Sequence, residues 1–338
     1  MFIANCIAPK YIVNSRYPFV YLNMKKDDWP LVTVAIPTFN RLGLLKRATA
    51  SVLAQDYKNL EIIISDNASI DGTNEYLRSI KDDRVNIFLG KQNLGMVSNW
   101  DHCLAGATGY YFLLMSDDDA FSDSHAIEKL VSGFMGDASE NVGAVFSDVW
   151  LERVDKDMVE ATFSDKTLYS SDEIIIDFFL SKVSIFPCVT LFRTKDLRDF
   201  GGYSSFGAKL AVDACAWIVL ALKYGEIRRF GEPLAIYRVH QSLSSSSVDI
   251  LSADFDVMQK LVEKYKENVS LKSFVKIKAA MHDSWSRYPI GYIIRQYRDN
   301  PKYGALSIIN DLIKFIKRVF SLVNVYFIIN RIFRIPRT

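Results

Sequence analysis

Four apolar runs stand out in the first third of the chain: LVTVAI at 31–36, LEIII at 60–64, VNIFL at 85–89 and YYFLLM at 110–115. Each is short and bounded by polar residues, the pattern of a strand covered on both faces in a parallel sheet. Helical spacing fills the gaps. Leu44, Leu45, Ala48, Val52 and Leu53 share one helical face, and the stretch after Asp71 and residues 97–107 continue the alternation. This order predicts an α/β domain with a Rossmann-like, mostly parallel sheet, flanking helices and right-handed crossovers. Further on, 143–149 and 189–192 read as strands and 209–224 as a mostly buried helix. From about Leu251 the pattern is helical, a C-terminal extension, and Ser244 to Ser247 read as a flexible loop.

Ligands of such sheets bind at the carboxyl ends of the strands. Polar clusters fall at those ends: PTFNR at 37–41, SDNASIDGT at 65–73, KQNLG at 91–95 and SDDD at 116–119. Three adjacent carboxylates after a buried strand repel one another unless a cation sits among them. Hard oxygen ligands suit Mg2+ or Mn2+, which usually adds substrate phosphates to its carboxylates, so Asp117, Asp118 and Asp119 predict a metal that clamps a diphosphate. The competing reading is a solvated turn. Asp66 is placed to accept from a base or ribose, whereas Asp71 and Thr73 fit ordinary helix capping equally well.

Asp213 lies within AVDACAWIVLAL, where an isolated carboxylate is costly. Burial beside a cleft raises such a group toward the range of a general base; pairing with an Arg or a helix end is the alternative. In EPLAIYRVHQSLS, Arg238 and His240 fall on one face of a strand, a cation and an imidazole suited to a phosphate and its metal.

Composition narrows the partners. The net charge is only +2, yet residues 302–337 hold seven basic side chains and one acidic one, leaving the rest net negative. That asymmetry argues against a nucleic-acid groove and for a local anionic partner of the tail. Cys6, Cys103, Cys188 and Cys215 form no CxxC pair, against a zinc knuckle or disulfide framework and for a reducing, cytoplasmic setting. The opening MFIANCIAPKYIV does not read as a signal peptide, and no window reaches the roughly 18 apolar residues of a membrane span.

The order VAIPTFNR, ISDNASIDGT, NLG, the aspartates, Asp213 and YRVHQSLS resembles the family 2 glycosyltransferases of GT-A fold, over about residues 32–246. That resemblance implies an inverting, metal-dependent enzyme moving a sugar from a nucleotide diphosphate to an acceptor hydroxyl. It places Pro37, Thr38, Asn40 and Arg41 beside the base, Asp66 on base or ribose, and Asn93 and Gly95 near the nucleotide. The aspartates match the DXD element, with Asp119 as direct metal ligand, Asp117 nearer the ribose or donor sugar, and Asp118 among the donor-binding groups. Asp213 matches the catalytic base, His240 a position that helps bind metal or diphosphate, and Arg238 joins it on the diphosphate. Two departures stand out: Val212 precedes Asp213 where relatives carry Glu, and Ser116 stands where many have an acid.

The expected organisation is an N-terminal extension at 1–30, a GT-A domain at 31–248 (nucleotide half 31–120, acceptor half 121–248), and a helical basic tail at 249–338. In 306–324 the polar residues Ser307, Asn310, Asp311, Lys314, Lys317, Arg318, Ser321 and Asn324 make a helical stripe against Ile, Leu, Phe and Val. Such a helix suits a peripheral place on an anionic membrane, here the inner face of the cell membrane, and a glycan or lipid-linked acceptor. Packing on the protein's own core or another subunit is the alternative. Two other functions compete: a metal-dependent nucleotidyltransferase, whose Gly-rich basic loop PTFNRLG lacks, and an inactive nucleotide-sugar-binding scaffold.

Overall fold

The computed structural model describes residues 29–135, 139–153, 158–161, 165–239 and 248–299. The first third forms β1 (Val32–Thr38), α1 (Leu42–Leu53), β2 (Leu60–Asp66), α2 (Thr73–Ser79), β3 (Val85–Leu89), α3 (Met96–Gly106) and β4 (Tyr111–Leu114). These strands pair in parallel in the order β3-β2-β1-β4. Thr38 pairs with Asp66 and Asp66 with Leu89, so three strands end level and their following loops meet at one edge.

The second part adds β5 (Ala120–Phe121), α4 (Ala126–Ser132), β6 (Val142–Arg153), β7 (Val159–Ala161), β8 (Leu168–Ser170), α5 (Ser171–Phe179), β9 (Thr190–Arg193), α6 (Thr194–Asp199), α7 (Val212–Tyr224) and β10 (Glu226–Val239). Strand β9 runs antiparallel to both β4 and β6, and β6 and β10 pair in parallel, so the sheet runs on as β4-β9-β6-β10-β5. The result is the mixed α/β, mostly parallel sheet flanked by helices that the pattern predicts. Helices α8 (Val248–Lys264) and α9 (Leu271–Asp299) follow. Among the described residues, no helix is long and apolar enough to cross a membrane.

Alternation along the strands divides the core. Val34, Ile36, Ile62 and Ile64 face Leu45, Ala48 and Val52 of α1, while Ala35 and Ile63 face Trp100, Cys103 and Leu104 of α3. Helix α7 is buried on all sides through Val212 and the run 214–222, as its near-continuous apolar sequence requires. Three short strands and half of a fourth escape the hydrophobic pattern. Strands β5, β7 and β8 are two or three residues long, too short for any period to register. The first half of β10 buries Arg229, whose guanidinium meets the Asp148 carboxylate, and this charged pair masks the strand. Helix α5 does carry a signal, the capping box of Ser170 and Glu173.

Candidate active site

A cleft of about 500 Å³ opens at the carboxyl edge of the sheet. It is lined by Pro37, Thr38, Arg41, Asn93, Gly95, Asp117, Asp118, Asp213 and Arg238 among the residues singled out from sequence. Asn40, which is exposed, and the buried Asp66 and Asp119 do not line it, and His240 lies outside the described residues.

Asn40 and Asp66 organise the loops. Asn40, with φ of 53°, accepts the Ile70 N–H on its side chain and donates its own N–H to Ser69 Oγ, both at 2.8 Å. The Asp66 carboxylate is buried and takes the Ser69 N–H. Asp71 accepts from Leu42 N–H at 2.9 Å and from the Thr73 hydroxyl at 2.6 Å, tying the same two loops. One loop further, Asn67 donates to Asn93 Oδ1 at 2.8 Å and accepts the Leu94 N–H at 2.9 Å. Gly95, with φ of 84°, turns the chain into α3, where a side chain would be strained.

The three aspartates have three different settings. Asp117 accepts the Thr38 hydroxyl at 2.8 Å and Arg41 Nη1 at 3.1 Å, and the same Nη1 donates to Asp118 Oδ2 at 2.8 Å. Burial pushes the Asp117 carboxyl up, and Thr38 and Arg41 pull it back. Burial lowers the Arg41 guanidinium, but the two carboxylates outweigh this and hold it above its ordinary value. Asp119 is 1% exposed; its Oδ1 accepts the Arg238 backbone N–H at 2.9 Å and its Oδ2 meets no N–H or O–H donor among the described residues. Burial first, then the Asp118 charge, push its carboxyl up to about 8. A carboxylate that keeps only the Cys188 thiol and one backbone N–H, beside the buried Asp117 and Asp118 carboxylates at the cleft, is a donor set that fits a hard divalent cation. Among the described residues no three His, Cys, Asp or Glu side chains complete such a site alone.

Asp213 is the second residue of α7 and half-buried in the cleft wall. Burial drives its carboxyl up to about 6, against the N–H groups of Ala214 and of Asp213 itself. Next to it, Tyr203 sits edge-on to Trp100, with ring centroids 5.4 Å apart. The Arg238 side chain is directed to Glu152 at 3.1 Å, a carboxylate that also receives Arg47 at 2.6 Å.

Several lining residues carry no sequence signal of their own. Asn99 is fixed by Ser65, donating to its carbonyl at 3.0 Å, and Met96 and Trp100 look like any residues of an apolar helix face. Asp254 on α8 does leave a trace. It falls on the buried face of that helix with Phe255, Met258 and Val262, where a carboxylate is out of place.

Residues 33–195 match the family model of Glycosyl transferase family 2. The chain is 33% identical over 159 residues to the GalNAc(5)-diNAcBac-PP-undecaprenol beta-1,3-glucosyltransferase of Campylobacter jejuni, a match covering 46% of this chain and 49% of that one. It is 28% identical over 223 residues to TuaG of Bacillus subtilis, named for teichuronic acid biosynthesis, covering 65% and 84% of the two chains. The match thus spans about half the length of the first relative. Among solved structures, the S. aureus TarS fragment 1-349 in complex with UDP superposes with a TM-score of 0.56 at 14% identity, covering 83% of this chain and 88% of that one. The mannosyltransferase PcManGT of Pyrobaculum calidifontis, in complex with GDP-Man and Mn2+, gives a TM-score of 0.51 at 15% identity, covering 86% and 88%. With strand order, cleft position and sequence in agreement, residues 33–195 belong to a family 2 glycosyltransferase domain, and the fold is that of these GT-A structures.

Proposed function

We propose that this chain is a metal-dependent, inverting glycosyltransferase that moves a sugar from a nucleotide-diphosphate donor to an acceptor hydroxyl during surface-glycan synthesis. The observation that carries the reading is one cleft lined by both the Asp117 and Asp118 carboxylates and the Asp213 carboxyl, at the strand ends where nucleotides bind. Loops 37–41, 66–73 and 93–95 hold the nucleoside. Asp117, Asp118 and Asp119 would hold Mn2+ or Mg2+, with His240 as a further ligand from outside the described residues. The ion supplies charge neutralisation for the departing diphosphate. Arg41 and Arg238 add positive charge at the same edge.

The chemistry assigned to the chain's own groups is a single displacement. Asp213 takes the acceptor proton as that oxygen bonds to the anomeric carbon, the bond from this carbon to the diphosphate oxygen breaks, and configuration inverts. A carboxyl raised to about 6 is ionised at neutral pH and still basic enough for the task. The names of the relatives support a glycan or lipid-linked acceptor, since one refers to a PP-undecaprenol carrier and another to teichuronic acid. Together with the basic tail, which lies outside the described residues, these names support a peripheral place at the cytoplasmic face of the cell membrane.

The test is a panel of nucleotide sugars incubated with the full chain, Mn2+ and an acceptor extract. Release of nucleoside diphosphate supports transfer; pyrophosphate from a sugar phosphate and NTP would identify a nucleotidyltransferase, and silence across the panel a binding scaffold. With an active donor, Asp213→Asn is expected to lose about 10²- to 10⁴-fold in transfer while nucleotide binding persists. Full activity in that variant removes Asp213 as the base.

A further inference from the structure

Asp254 lies on α8, beyond the family-matched span, and is 3% exposed. Its Oδ1 accepts the Lys209 N–H at 2.7 Å, and its Oδ2 accepts the N–H groups of Leu210 at 2.6 Å and Ala211 at 2.8 Å. These three residues lead directly into α7, and Asp213 follows two positions later. A helix start leaves N–H groups without partners, normally met by a Ser, Thr, Asn or Asp at the N-cap. Ala211 at that position has no side-chain oxygen. A carboxylate from a different helix fixes the turn just before α7, with one oxygen on Lys209 and the other on Leu210 and Ala211.

We propose that Asp254 is a positioning residue for the base: from the C-terminal helices it locks the 209–211 turn, which aims Asp213 and Leu210 into the cleft. The inference rests on the reading of Asp213 as base. A second consequence is electrostatic. Tyr203, Tyr237 and Cys215 also interact with Asp213, but burial first keeps each of them protonated far above neutrality. Behind burial, the Asp254 carboxylate is a further influence that raises the Asp213 carboxyl. Its charge opposes ionisation of Asp213, so removing it lowers the pH at which the base becomes active. Since the base works deprotonated, the rate rises with pH through its titration, and loss of the Asp254 charge moves that rise toward lower pH.

The experiment compares full-length wild type, Asp254→Asn, Asp254→Glu and Asp213→Asn with the active donor from the panel and Mn2+. Measured are kcat from pH 5 to 9, affinity for the matching nucleoside diphosphate, and the thermal midpoint. Asp254→Asn keeps the shape but loses the charge and one acceptor; kcat is expected to fall about tenfold or more, as misaimed catalytic groups do. Nucleoside diphosphate affinity is expected to stay within about twofold, and the acid limb to shift down by roughly half a pH unit. Asp254→Glu keeps the charge but displaces it, so its kcat falls while its acid limb stays put; this variant decides the matter if the Asn protein does not fold. Wild-type kcat and pH profile in a folded Asn variant overturn the proposal, as does a loss of activity matched by an equal loss of nucleotide affinity. If Asp213→Asn retains transfer, the base assignment fails and takes this inference with it; if Asp213→Asn is dead and Asp254→Asn is normal, only the inference fails.

Discussion

Three adjacent aspartates survive in a buried corner because each has a different means of limiting its charge. Asp117 has the Thr38 hydroxyl and Arg41, Asp118 has Arg41, and Asp119 has a backbone N–H and a carboxyl pushed up to about 8 by burial. Arg41 thus occupies the role of a counter-cation between two groups proposed to face the metal. Its side chain is 41% exposed, so the pair is screened and individually weak. A divalent cation must displace it or share the carboxylates with it. We expect Arg41→Ala to bind Mn2+ alone roughly fivefold more tightly, read from the free-ion signal in electron paramagnetic resonance, because an exposed competing cation is gone. The same variant should raise the KM for donor, since Arg41 lines the cleft. Unchanged or weaker Mn2+ binding would remove Arg41 from the counter-cation role. Residues of this kind were legible in sequence because charge and polarity at strand ends are conspicuous. Asn67, Asn99 and Trp100 were not, since their use depends on which loop or strand faces them.

At the scale of elements, the parallel half was readable because strands buried on both faces must be mostly apolar, as β1, β2 and β4 are, while β3, only partly buried at the sheet edge, keeps enough apolar residues to show. Helix α7 was readable too, but its start was not: the apolar run begins near residue 209, whereas the helix begins at Val212, after a turn whose N–H groups at 209–211 go to Asp254. What packs α7 against the sheet is Gly143 on β6. A Cβ there would lie 2.4 Å from the Leu220 carbonyl oxygen, a backbone atom with no freedom to move aside. Gly143→Ala is therefore expected to cost about 1–3 kcal/mol through overpacking. Thermal unfolding followed by circular dichroism should show a midpoint lowered by about 2–4 °C for each kcal/mol. A midpoint equal to wild type would mean that α7 can shift away from β6 freely. Because α7 carries Asp213, that same shift would have to leave transfer intact.

At the scale of the whole molecule, the helices after the sheet join its core. Trp285 of α9 stacks on Phe255 of α8 with centroids 4.7 Å apart, Phe255 meets Phe179 of α5 at 6.2 Å, and the Ser273 hydroxyl donates to Asp172 at 2.6 Å. Nothing in a helical period says which core a helix will join, so this coupling was hidden in sequence while the helices themselves were not. The coupling decides where a truncation can be informative. Cutting before α8 would remove Asp254 and part of the shared core, so any loss would be ambiguous. Cutting after Tyr303 leaves α8 and α9 whole and removes six of the seven basic residues of 302–337, with the amphipathic stripe. Each basic residue near an anionic surface is worth about 1 kcal/mol, and the attraction is screened by salt. The full chain is expected to float with phosphatidylglycerol vesicles at low salt and much less with phosphatidylcholine vesicles. The chain ending at Tyr303 should stay in the soluble fraction with both, while its thermal midpoint and nucleoside diphosphate affinity remain those of the full chain. Equal flotation of the two chains would place the membrane contact, if there is one, on the catalytic domain instead of the tail.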